Sequence, residues 1–564
     1  MSPIDPFAAR TRIAYFSMEI ALRAEIHTYS GGLGVLAGDT ARSCADLKLP
    51  VVFVTLVSRQ GYLRQEIDDA GRQVEHADPW DPVDWATPLG ARITVALDGR
   101  DVWVHGWLHV IRDGRGHEVP VLLLDTDVKD NDPEDRRITD RLYGGDDAHR
   151  LKQEAVLGIG GVRLLHALGF AIETWHLNEG HAALLAAELL RRHPLPYALQ
   201  EAGGVYDVAQ VKAHCIFTTH TPVASGHDRF GYELVARVLD GFIDLDQLKL
   251  HAGAEDCNMT RLALSLSGYV NGVAERHAET AHRLYPGHRI HAITNGIHVG
   301  TWAAPSIARL FDRHFPHWVH EPEILVRADV LDDEEVWQAH VDAKQALIDA
   351  ARAATGIALA ADRPIFGFAR RMTGYKRPDL LFSDLERLRA IARERPFQVV
   401  LAGKAHPHDG QGKWLIEQLH GYVRQLEGAI PVAFLPNYDL RVAKLMVGGC
   451  DVWLNTPLPP LEASGTSGMK AALNGVLNLS VLDGWWVEAC IDGRTGWSVG
   501  SDGAASAHEH AAALYDRLAQ TILPLYDDDR RYWLFMMKQA ISKIASYFNS
   551  QRMMRRYATE AYLR

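Results

Sequence analysis

The second half of the chain alternates short apolar runs with longer amphipathic stretches. The runs are continuously apolar, which is typical of strands in a parallel sheet covered on both faces. The pattern predicts strands at Pro364–Phe368, Phe397–Ala402, Pro431–Leu435, Val452–Leu454 and Val476–Val481. It predicts helices at Pro378–Arg393, Trp414–Gln425, Leu440–Val447 and Gly468–Leu473. This pattern predicts a doubly wound α/β domain. Ligands of such a domain bind at the carboxyl ends of its strands.

The first half alternates in the same way, but less regularly. Strands are predicted at Ile13–Phe16, Val51–Val57, Val119–Leu124, Ile172–Leu177 and Ile216–Thr219. Helices are predicted at Leu36–Leu47, His149–Leu168 and Ala182–Arg192. The segment Val95–Val110 is typical of an antiparallel insertion that turns at Asp98-Gly99.

A helix-rich stretch from Ala304 to Asp362 separates the two halves, and the last segment from Ala540 is helical again. We therefore expect an α/β protein of GT-B architecture, with two Rossmann-like domains that face a cleft. The domains are predicted at 1–320 and 321–540, and a helix at 541–564 is expected to cross back to the first. A cleft between domains is a common place for a ligand.

Composition and charge narrow the classes of function. The chain has 564 residues, with 59 Lys and Arg against 71 Asp and Glu, a net charge of −12. That balance argues against a general nucleic-acid binder, which needs clustered positive charge. No apolar run reaches the roughly 18 residues that span a bilayer, and no secretory signal is recognisable at the start. We expect a cytoplasmic enzyme that acts on small or neutral substrates.

The cysteine pattern supports the same expectation. The five cysteines are far apart and form no CxxC pair, which argues against a disulfide framework or a zinc cluster. They are Cys44, Cys215, Cys257, Cys450 and Cys490. A reducing compartment and a protein without a bound metal fit this pattern best.

The most informative stretch runs from Glu462 to Glu488, after a predicted strand. Its segment Gly465–Gly468 (GTSG) is a glycine-rich turn that opens a helix, and free backbone N–H groups at such a place bind anions. Lys470 lies one turn into that helix. It can supply a charge for phosphate or an amine for a Schiff base. The alternative is a capped helix with an exposed lysine.

A second group of charged residues follows the predicted strand Pro364–Phe368. Arg370, Arg371, Lys376 and Arg377 place four cations within eight residues. At the carboxyl end of a strand they indicate a local anion site despite the negative net charge. The alternative is a solvated loop or a network of salt bridges.

A second glycine-rich turn, at Ser30–Gly34 (SGGLG), precedes the helix that is predicted to begin near Leu36. One such turn is a weak signal. Two of them, facing each other from two α/β domains, fit a ligand with more than one phosphate, or two separate phosphates.

Several histidines lie at predicted strand ends without a clear ligand pattern. His220 follows one strand, and His176 and His181 belong to the segment HLNEGH. Such histidines are more often hydrogen-bonded core residues, and HLNEGH lacks the HExxH order of a zinc protease. His406 and His408 have no third ligand nearby in sequence, which favours a surface loop.

Taken together, these motifs resemble the α-glucan phosphorylases, the family of glycogen, starch and maltodextrin phosphorylases. The chain is shorter than the long members and resembles a compact, divergent prokaryotic branch. The resemblance covers nearly the whole chain, at Tyr15–Ile20 (YFSMEI), Ser30–Asp39 (SGGLGVLAGD), Thr219–Val223 (THTPV), Asn271–His277 (NGVAERH), Thr294–Trp302 (TNGIHVGTW), Gly403–Ala405 (GKA) and Glu462–Glu488.

The resemblance implies that Lys470 anchors pyridoxal 5′-phosphate and that the phosphate group of this cofactor does the proton chemistry. Other cofactor-binding residues are implied at Thr466, Ser467, Arg370, Lys376, Trp302 and Tyr438. Residues for the substrate phosphate are implied at Arg371, Gly31 and Gly32. Residues for the glucosyl unit are implied at Glu462, Ser464, Gly465, Asn295 and His220. The catalytic set among all these is Lys470, Arg371, Lys376, Gly32 and His220.

The implied reaction is reversible phosphorolysis of α-1,4-glucan ends to glucose 1-phosphate, with retained configuration. Its partners are inorganic phosphate and a glucan, and a homo-oligomer is compatible with the family. Two phosphates close together repel, so the site needs several cations and N–H donors. It needs no pair of carboxyl groups of the glycosidase kind, and neither Glu179 nor Glu462 is assigned as a general acid.

Three positions depart from the long phosphorylases. Thr373 stands where they carry His, Asp439 where they carry Arg, and Ser30 where they carry Asn. An acid near two phosphates disfavours anion binding, so Asp439 is expected to weaken the binding of phosphate.

Two other functions remain open on the sequence. A retaining glycosyltransferase with a nucleotide-sugar donor shares the GT-B fold, the spacing of Arg371 and Lys376, and a Glu such as Glu462. It has no need of an amine at Lys470. The second alternative is a catalytically silent glucan-binding homologue, which Asp439 and Thr373 favour.

Overall fold

The structure is a computed structural model, and it describes residues 2–197, 200, 204–223, 226–239, 241–501 and 505–563. Contacts group the chain into two compact units. The first unit comprises Met1–Leu63, Ala77–Ile293 and Met554–Arg564, and the second comprises Arg64–His76 and Thr294–Met553. Residues 294–320, which the pattern assigned to the first domain, group with the second unit.

The strands are numbered along the chain. They are β1 (Ile13–Ser17), β2 (Val51–Leu56), β3 (Arg64–Ile67), β4 (Gln73–His76), β5 (Thr87–Leu97), β6 (Arg100–Arg112), β7 (Glu118–Asp125), β8 (Thr174–Asn178), β9 (Cys215–Thr218), β10 (Arg229–Phe230), β11 (Cys257–Asn258), β12 (Tyr269–Gly272), β13 (His291–Ala292), β14 (Ile365–Ala369), β15 (Gln398–Ala402), β16 (Val432–Leu435), β17 (Val452–Asn455), β18 (Leu477–Val481) and β19 (Gly496–Val499).

The α-helices are numbered in the same way. They are α1 (Asp5–Arg10), α2 (Gly32–Asp46), α3 (Asp147–Ala155), α4 (Gly161–Ala167), α5 (Leu184–Arg192), α6 (Val208–His214), α7 (Tyr232–Leu239), α8 (Leu245–Ala252), α9 (Met259–Ser265), α10 (Glu275–Leu284), α11 (Val299–Trp302), α12 (Pro305–His314), α13 (Asp333–Thr355), α14 (Leu385–Glu394), α15 (Gly410–Leu426), α16 (Leu440–Gly449), α17 (Ser467–Leu473), α18 (Trp486–Ala489), α19 (Ala507–Arg517), α20 (Leu523–Asp528), α21 (Arg530–Ala540) and α22 (Ser550–Tyr557).

The first unit is built on a sheet in the order β13-β12-β9-β8-β1-β2-β7-β6-β5. Neighbouring strands from β13 to β7 are parallel, whereas β5, β6 and β7 pair antiparallel. Asp98 and Gly99 connect β5 to β6 with φ values of 49° and 74°, as a tight hairpin turn requires. The predicted antiparallel insertion is therefore confirmed.

The second unit is built on a sheet in the order β16-β15-β14-β17-β18-β19, and every neighbouring pair is parallel. This is the strand order of a Rossmann sheet, with its reversal between β14 and β17. Strands β14 to β18 are buried along their whole length, which explains their continuous apolar runs. The predicted α/β class with parallel sheets is confirmed.

The helices and strands of the structure differ from the predicted ones at several places. The helix predicted at Pro378–Arg393 is wrong in its first part, because Asp384 accepts a hydrogen bond from the backbone of Arg387 and caps α14 there. Helix α2 begins at Gly32 rather than near Leu36. Strand β19 and the hairpin of β3 and β4 were not predicted, since neither has a clear apolar run.

Within the described part of the chain, no helix has both the length and the apolar character that crossing a bilayer requires. The last residues form α22 and a further helical turn at Ala558–Tyr562. Met554–Arg564 group with the first unit, where the hydroxyl of Tyr562 lies 2.7 Å from Nδ1 of His176.

Candidate active site

The reversal point of the second sheet brings two loops together. Arg370 directly follows β14, and Asn455 is the last residue of β17. The guanidinium of Arg370 donates a hydrogen bond to the side-chain oxygen of Asn455. Ligands of such sheets bind outside the carboxyl ends of the strands at this point, so the geometry agrees with the position that the sequence favoured.

Glu462 is the charged centre of this point. Its Oε2 lies 2.7 Å from Nη1 of Arg370 and 2.8 Å from Nζ of Lys376, and the residue is 4% exposed. Burial raises the pKa of Glu462, but the two cations outweigh it and hold the pKa at about 2. Two cations against one carboxylate leave a net positive charge beside β14.

The other two cations of this segment have different surroundings. Arg377 is buried and donates to the backbone carbonyls of Thr456, at 2.8 Å, and Pro457, at 2.5 Å. It therefore stabilises the loop after β17 rather than offering its charge to a ligand. Arg371 is exposed. The four predicted cations thus divide into two at Glu462, one in the loop backbone and one at the surface.

The long motif that begins at Glu462 folds as one piece. Asp483 accepts hydrogen bonds from the backbone N–H of Glu462 and of Gly484, both at 2.9 Å. The N–H of Trp485 donates to the carbonyl of Ser464 at 3.0 Å. Gly465 has φ +87°, which a glycine adopts without steric cost. The turn that carries the predicted glucosyl residues is therefore fixed from both sides.

Lys470 is buried in α17, with 6% of its surface exposed. Its Nζ lies 3.9 Å from the centre of the Trp302 ring. Asn474, one turn further on, donates to the carbonyls of Trp302 and Lys470 at 3.0 and 2.9 Å, and accepts from the N–H of Ala304 at 2.7 Å. The alternative of an exposed lysine on a capped helix is wrong.

Tyr438 and Asp439 lie in the loop between β16 and α16. Burial raises the pKa of the Tyr438 hydroxyl, and the nearby charge of Arg370 opposes this shift. Asp439 is the N-cap of α16, and its Oδ1 accepts from the N–H groups of Arg441 and Val442, both at 2.9 Å. The carboxylate is therefore already satisfied by the positive end of a helix.

The polar and charged atoms of this site fit a phosphorylated aromatic cofactor. The hydroxyl oxygens of Ser464 and Thr373 and the amide oxygen of Asn295 are buried and have no hydrogen-bond partner among the described residues. Thr466 is the N-cap residue of α17, and its side chain makes no capping hydrogen bond. A buried amine against an aromatic ring, an excess of positive charge and unused polar atoms are together what such a group requires.

In the first unit, the glycine-rich turn binds an internal carboxylate. The N–H groups of Ser30 and Gly31 donate to Oε2 of Glu19 at 2.6 and 3.1 Å, and Glu19 is 1% exposed. The hydroxyl of Tyr143 donates to the other oxygen of Glu19 at 2.9 Å. Two N–H groups of the turn that was predicted to bind an anion are therefore already occupied by Glu19, and Gly32 is the first residue of α2.

His220 follows β9, also in the first unit. Its N–H donates to Oε2 of Glu179 at 2.8 Å, and its ring Nε2 donates to Oδ1 of Asn178 at 2.7 Å. Burial, with a smaller contribution from neighbouring histidines, lowers the pKa of His220 to about 3. The ring is neutral at physiological pH. The carboxylate of Glu179 holds the backbone of His220, and burial raises the pKa of Glu179.

His176 confirms the interpretation of lone histidines as core residues. Its ring nitrogens contact Tyr562, at 2.7 Å, and Oγ1 of Thr218, at 2.9 Å. Burial lowers its pKa to about 3.

Comparisons with known proteins give consistent matches. The family model of carbohydrate phosphorylases matches residues 228–493. The chain is 37% identical to the maltodextrin phosphorylase of Thermococcus litoralis, over 98% of this chain and 70% of that protein. It is 38% identical to the glycogen phosphorylase of Mycobacterium tuberculosis, over 98% and 71% of the two chains. It is 36% identical to the glycogen phosphorylase of Aquifex aeolicus, over 98% and 86%.

Proposed function

This chain belongs to the carbohydrate phosphorylase family, and we propose that it is an α-glucan phosphorylase that depends on pyridoxal 5′-phosphate. The substrates are inorganic phosphate and an α-1,4-glucan. The observation that carries the proposal is the buried amine of Lys470 against the ring of Trp302, next to a cluster with excess positive charge.

The proposed reaction moves the terminal glucosyl unit of the glucan to phosphate with retained configuration. The bond from C1 to the glucan oxygen breaks, a bond from C1 to a phosphate oxygen forms, and the phosphate proton ends on the released glucan hydroxyl. When bound, the cofactor supplies a phosphate group that exchanges this proton with the substrate phosphate. Glucose 1-phosphate and a shortened glucan leave.

The residues of the second unit would bind the cofactor and part of the substrates. Lys470 is proposed as the covalent anchor, beside Trp302 and Tyr438. Arg370 and Lys376 would compensate phosphate charge, with the backbone N–H groups of Thr466 and Ser467. Arg371 would bind the substrate phosphate. Glu462, Ser464, Gly465 and Asn295 would hold the glucosyl hydroxyls, and the unpartnered oxygens of Ser464 and Asn295 support this role.

The residues proposed from the first unit are Gly32 and His220. The N–H of Gly31, which the resemblance also implied, is already bound by Glu19. Gly32 and the following N–H groups begin α2 and would bind the substrate phosphate through the helix N-terminus. The carbonyl of His220 would face the positive charge that develops at C1. Its backbone is held by Glu179, which keeps this carbonyl in place without supplying a proton.

The GT-B arrangement is part of the proposal. The sheet of the first unit is parallel from β13 to β7, and the second unit has a parallel sheet with the strand order of a Rossmann sheet, which supports two Rossmann-like domains. All five cysteines are free thiols, which supports a reducing, cytoplasmic location. A homo-oligomer is proposed from the family alone.

The test supplies the purified chain with pyridoxal 5′-phosphate, maltoheptaose and inorganic phosphate, and measures glucose 1-phosphate and the absorbance of the bound cofactor. The wild type should form the product and retain the chromophore, and Lys470→Ala should lose both. Lys249→Ala is the matched control and should behave as the wild type, because Lys249 is a half-exposed lysine whose ion pair is to Asp246.

Two outcomes contradict the proposal. A colourless wild type whose activity survives Lys470→Ala, with a nucleotide-sugar donor as substrate, supports the glycosyltransferase alternative. Glucan binding without any glucose 1-phosphate, in protein that retains the cofactor, supports the silent homologue.

A further inference from the structure

The hairpin of β3 and β4 packs on the second unit, although its sequence lies between two segments of the first. Gly71 in its turn has φ +85°, and a Cβ at this position would lie 2.4 Å from Cβ of His420 in α15. Glu75 forms an ion pair with Lys413 of the same helix at 2.8 Å. The tip and one edge of the hairpin are therefore fixed to α15.

Gln65 connects this hairpin to the loop that carries Tyr438. Its N–H donates to Oδ1 of Asn437 at 3.0 Å, and its Oε1 accepts from the N–H of Asn437 at 2.9 Å. Asn437 has φ +53°, a left-handed conformation that needs local support. The reciprocal pair supplies this support one residue before Tyr438.

The same glutamine reaches a second loop together with Gln73. Nε2 of Gln65 donates to the carbonyl of Gly403 and to Oε1 of Gln73, both at 2.8 Å. Gln73 donates to the carbonyl of Ala405 and accepts from its N–H, both at 2.9 Å. Both glutamines are buried, at 2% and 7% exposure, so each lost partner leaves an unpaired polar group.

The loop 403–405 in turn holds the residues that follow β14. The carbonyl of Lys404 accepts from the N–H of Met372 at 3.0 Å, and the carbonyl of Ala402 accepts from the N–H of Arg370 at 3.3 Å. Side-chain atoms at Gly403 would clash, because a Cβ there would lie 2.1 Å from the carbonyl of Arg370. Contacts therefore continue from the hairpin to the cation cluster at Glu462.

We propose that Gln65 and Gln73 are positioning residues of the active site. Through the loops 403–405 and 436–439 they hold Arg370 and Tyr438 in the positions in which they face the cofactor and the phosphates. Neither glutamine contacts a reacting group. The inference rests on the proposed function for the roles of Arg370 and Tyr438, whereas the contacts of the hairpin stand on their own.

Three variants of the full chain separate positioning from general stability. Gln65→Ala removes the side-chain hydrogen bonds to both loops and leaves only the bond from the backbone N–H of residue 65 to Asn437. Gln65→Glu keeps the acceptor for Asn437 but loses the donors to Gly403 and Gln73. Glu66→Ala is the matched control, since Glu66 is the next residue of the same strand and its exposed side chain pairs with His76.

The first readout is hydrogen–deuterium exchange, which needs neither cofactor nor activity. We expect Gln65→Ala to increase exchange in peptides that cover 403–405 and 436–439, and Gln65→Glu to increase it chiefly in 403–405. Glu66→Ala should exchange as the wild type does. The second readout is enzymatic: in both Gln65 variants the KM for phosphate should rise about tenfold, and the circular dichroism band of bound pyridoxal phosphate should change.

Several results would overturn the inference. One is a folded Gln65→Ala protein whose exchange in both loops, phosphate KM and cofactor band are unchanged. Another is exchange that rises evenly over the whole second unit in both Gln65 variants, because this indicates a general loss of stability. If the wild type forms no glucose 1-phosphate, the proposed function fails, and the exchange measurement still decides whether the hairpin orders the two loops.

Discussion

A single carboxylate with two cations is the residue-scale feature on which the site depends. Glu462 holds Arg370 and Lys376 within 2.8 Å, and Arg377 uses its guanidinium on backbone carbonyls instead. Sequence spacing treated these cations as equivalent. The hydrogen-bond and ion-pair partners of each cation show which of them can turn toward an anionic ligand that competes with Glu462.

The first prediction concerns Arg371. Arg371→Ala should raise the KM for phosphate at least tenfold and leave the melting temperature unchanged, because the side chain is exposed and a charge-assisted bond to phosphate is lost. Steady-state phosphorolysis at varied phosphate concentration measures this. Arg363→Ala, an exposed arginine just before β14, is the control. A phosphate dependence like that of the wild type would exclude Arg371 from the phosphate site.

At the scale of elements, helix α16 decides what Asp439 does. Asp439→Ala should lower the free energy of unfolding by about 1 kcal/mol, because the N-cap of α16 is lost. Asp439→Asn should keep the cap and lower the KM for phosphate, since it removes a negative charge beside Tyr438. Urea unfolding and phosphorolysis of both variants test this. A higher phosphate KM in Asp439→Asn would show that the carboxylate does not oppose anion binding.

Asn474 holds helix α17 in position against the segment before α12. Asn474→Ala leaves two carbonyls and one N–H unpaired at a site with 0% exposure, and should cost about 2–3 kcal/mol. It should also speed the loss of bound cofactor, because Trp302 is no longer held against Lys470. Thermal unfolding and the rate of cofactor release measure these effects, with the exposed Gln345→Ala as control. A stability equal to that of the wild type would contradict this role.

At the scale of the whole molecule, buried neutral histidines make stability depend on pH. The folded-state pKa values of His176 and His220 are about 3, whereas the unfolded value is about 6.5. The stability from each histidine is fully present above about pH 6.5 and is lost as the pH falls toward 3. In that window the free energy of unfolding should fall by about 1.4 kcal/mol per pH unit for each histidine.

Denaturant unfolding between pH 7 and 5 tests this dependence. His176→Gln should lower stability at pH 7 and reduce the slope by about 1.4 kcal/mol per unit. Glu462 adds nothing to the slope between pH 7 and 5, because its folded pKa of about 2 lies below an unfolded value of about 4.3. Its contribution to stability is fully present above about pH 4.3 and is lost only as the pH falls below that value. Equal slopes in the wild type and in His176→Gln would show that His176 takes up a proton in the folded state.

The sequence by itself determined the fold class, the five buried strands from β14 to β18 and the segment that surrounds Lys470. These features are local, because a strand buried on both faces is apolar throughout and a glycine-rich turn before a helix is visible in four residues. The place of His176 in the core was also predicted from a local feature, a lone histidine at the end of a predicted strand without a ligand pattern.

Only the tertiary structure decided which residues form hydrogen bonds and ion pairs with one another. Glu19 fills part of the turn at Ser30–Gly31, Asp483 holds Glu462, and Asn474 donates to the carbonyl of Trp302, which lies 172 positions earlier in the chain. The hairpin with Gln65 and Gln73 has no apolar pattern, and the two loops that it contacts lie more than 330 residues away along the chain. Hydrogen bonds and ion pairs between distant segments depend on which segments the fold brings together. A local pattern of residues contains no information about that.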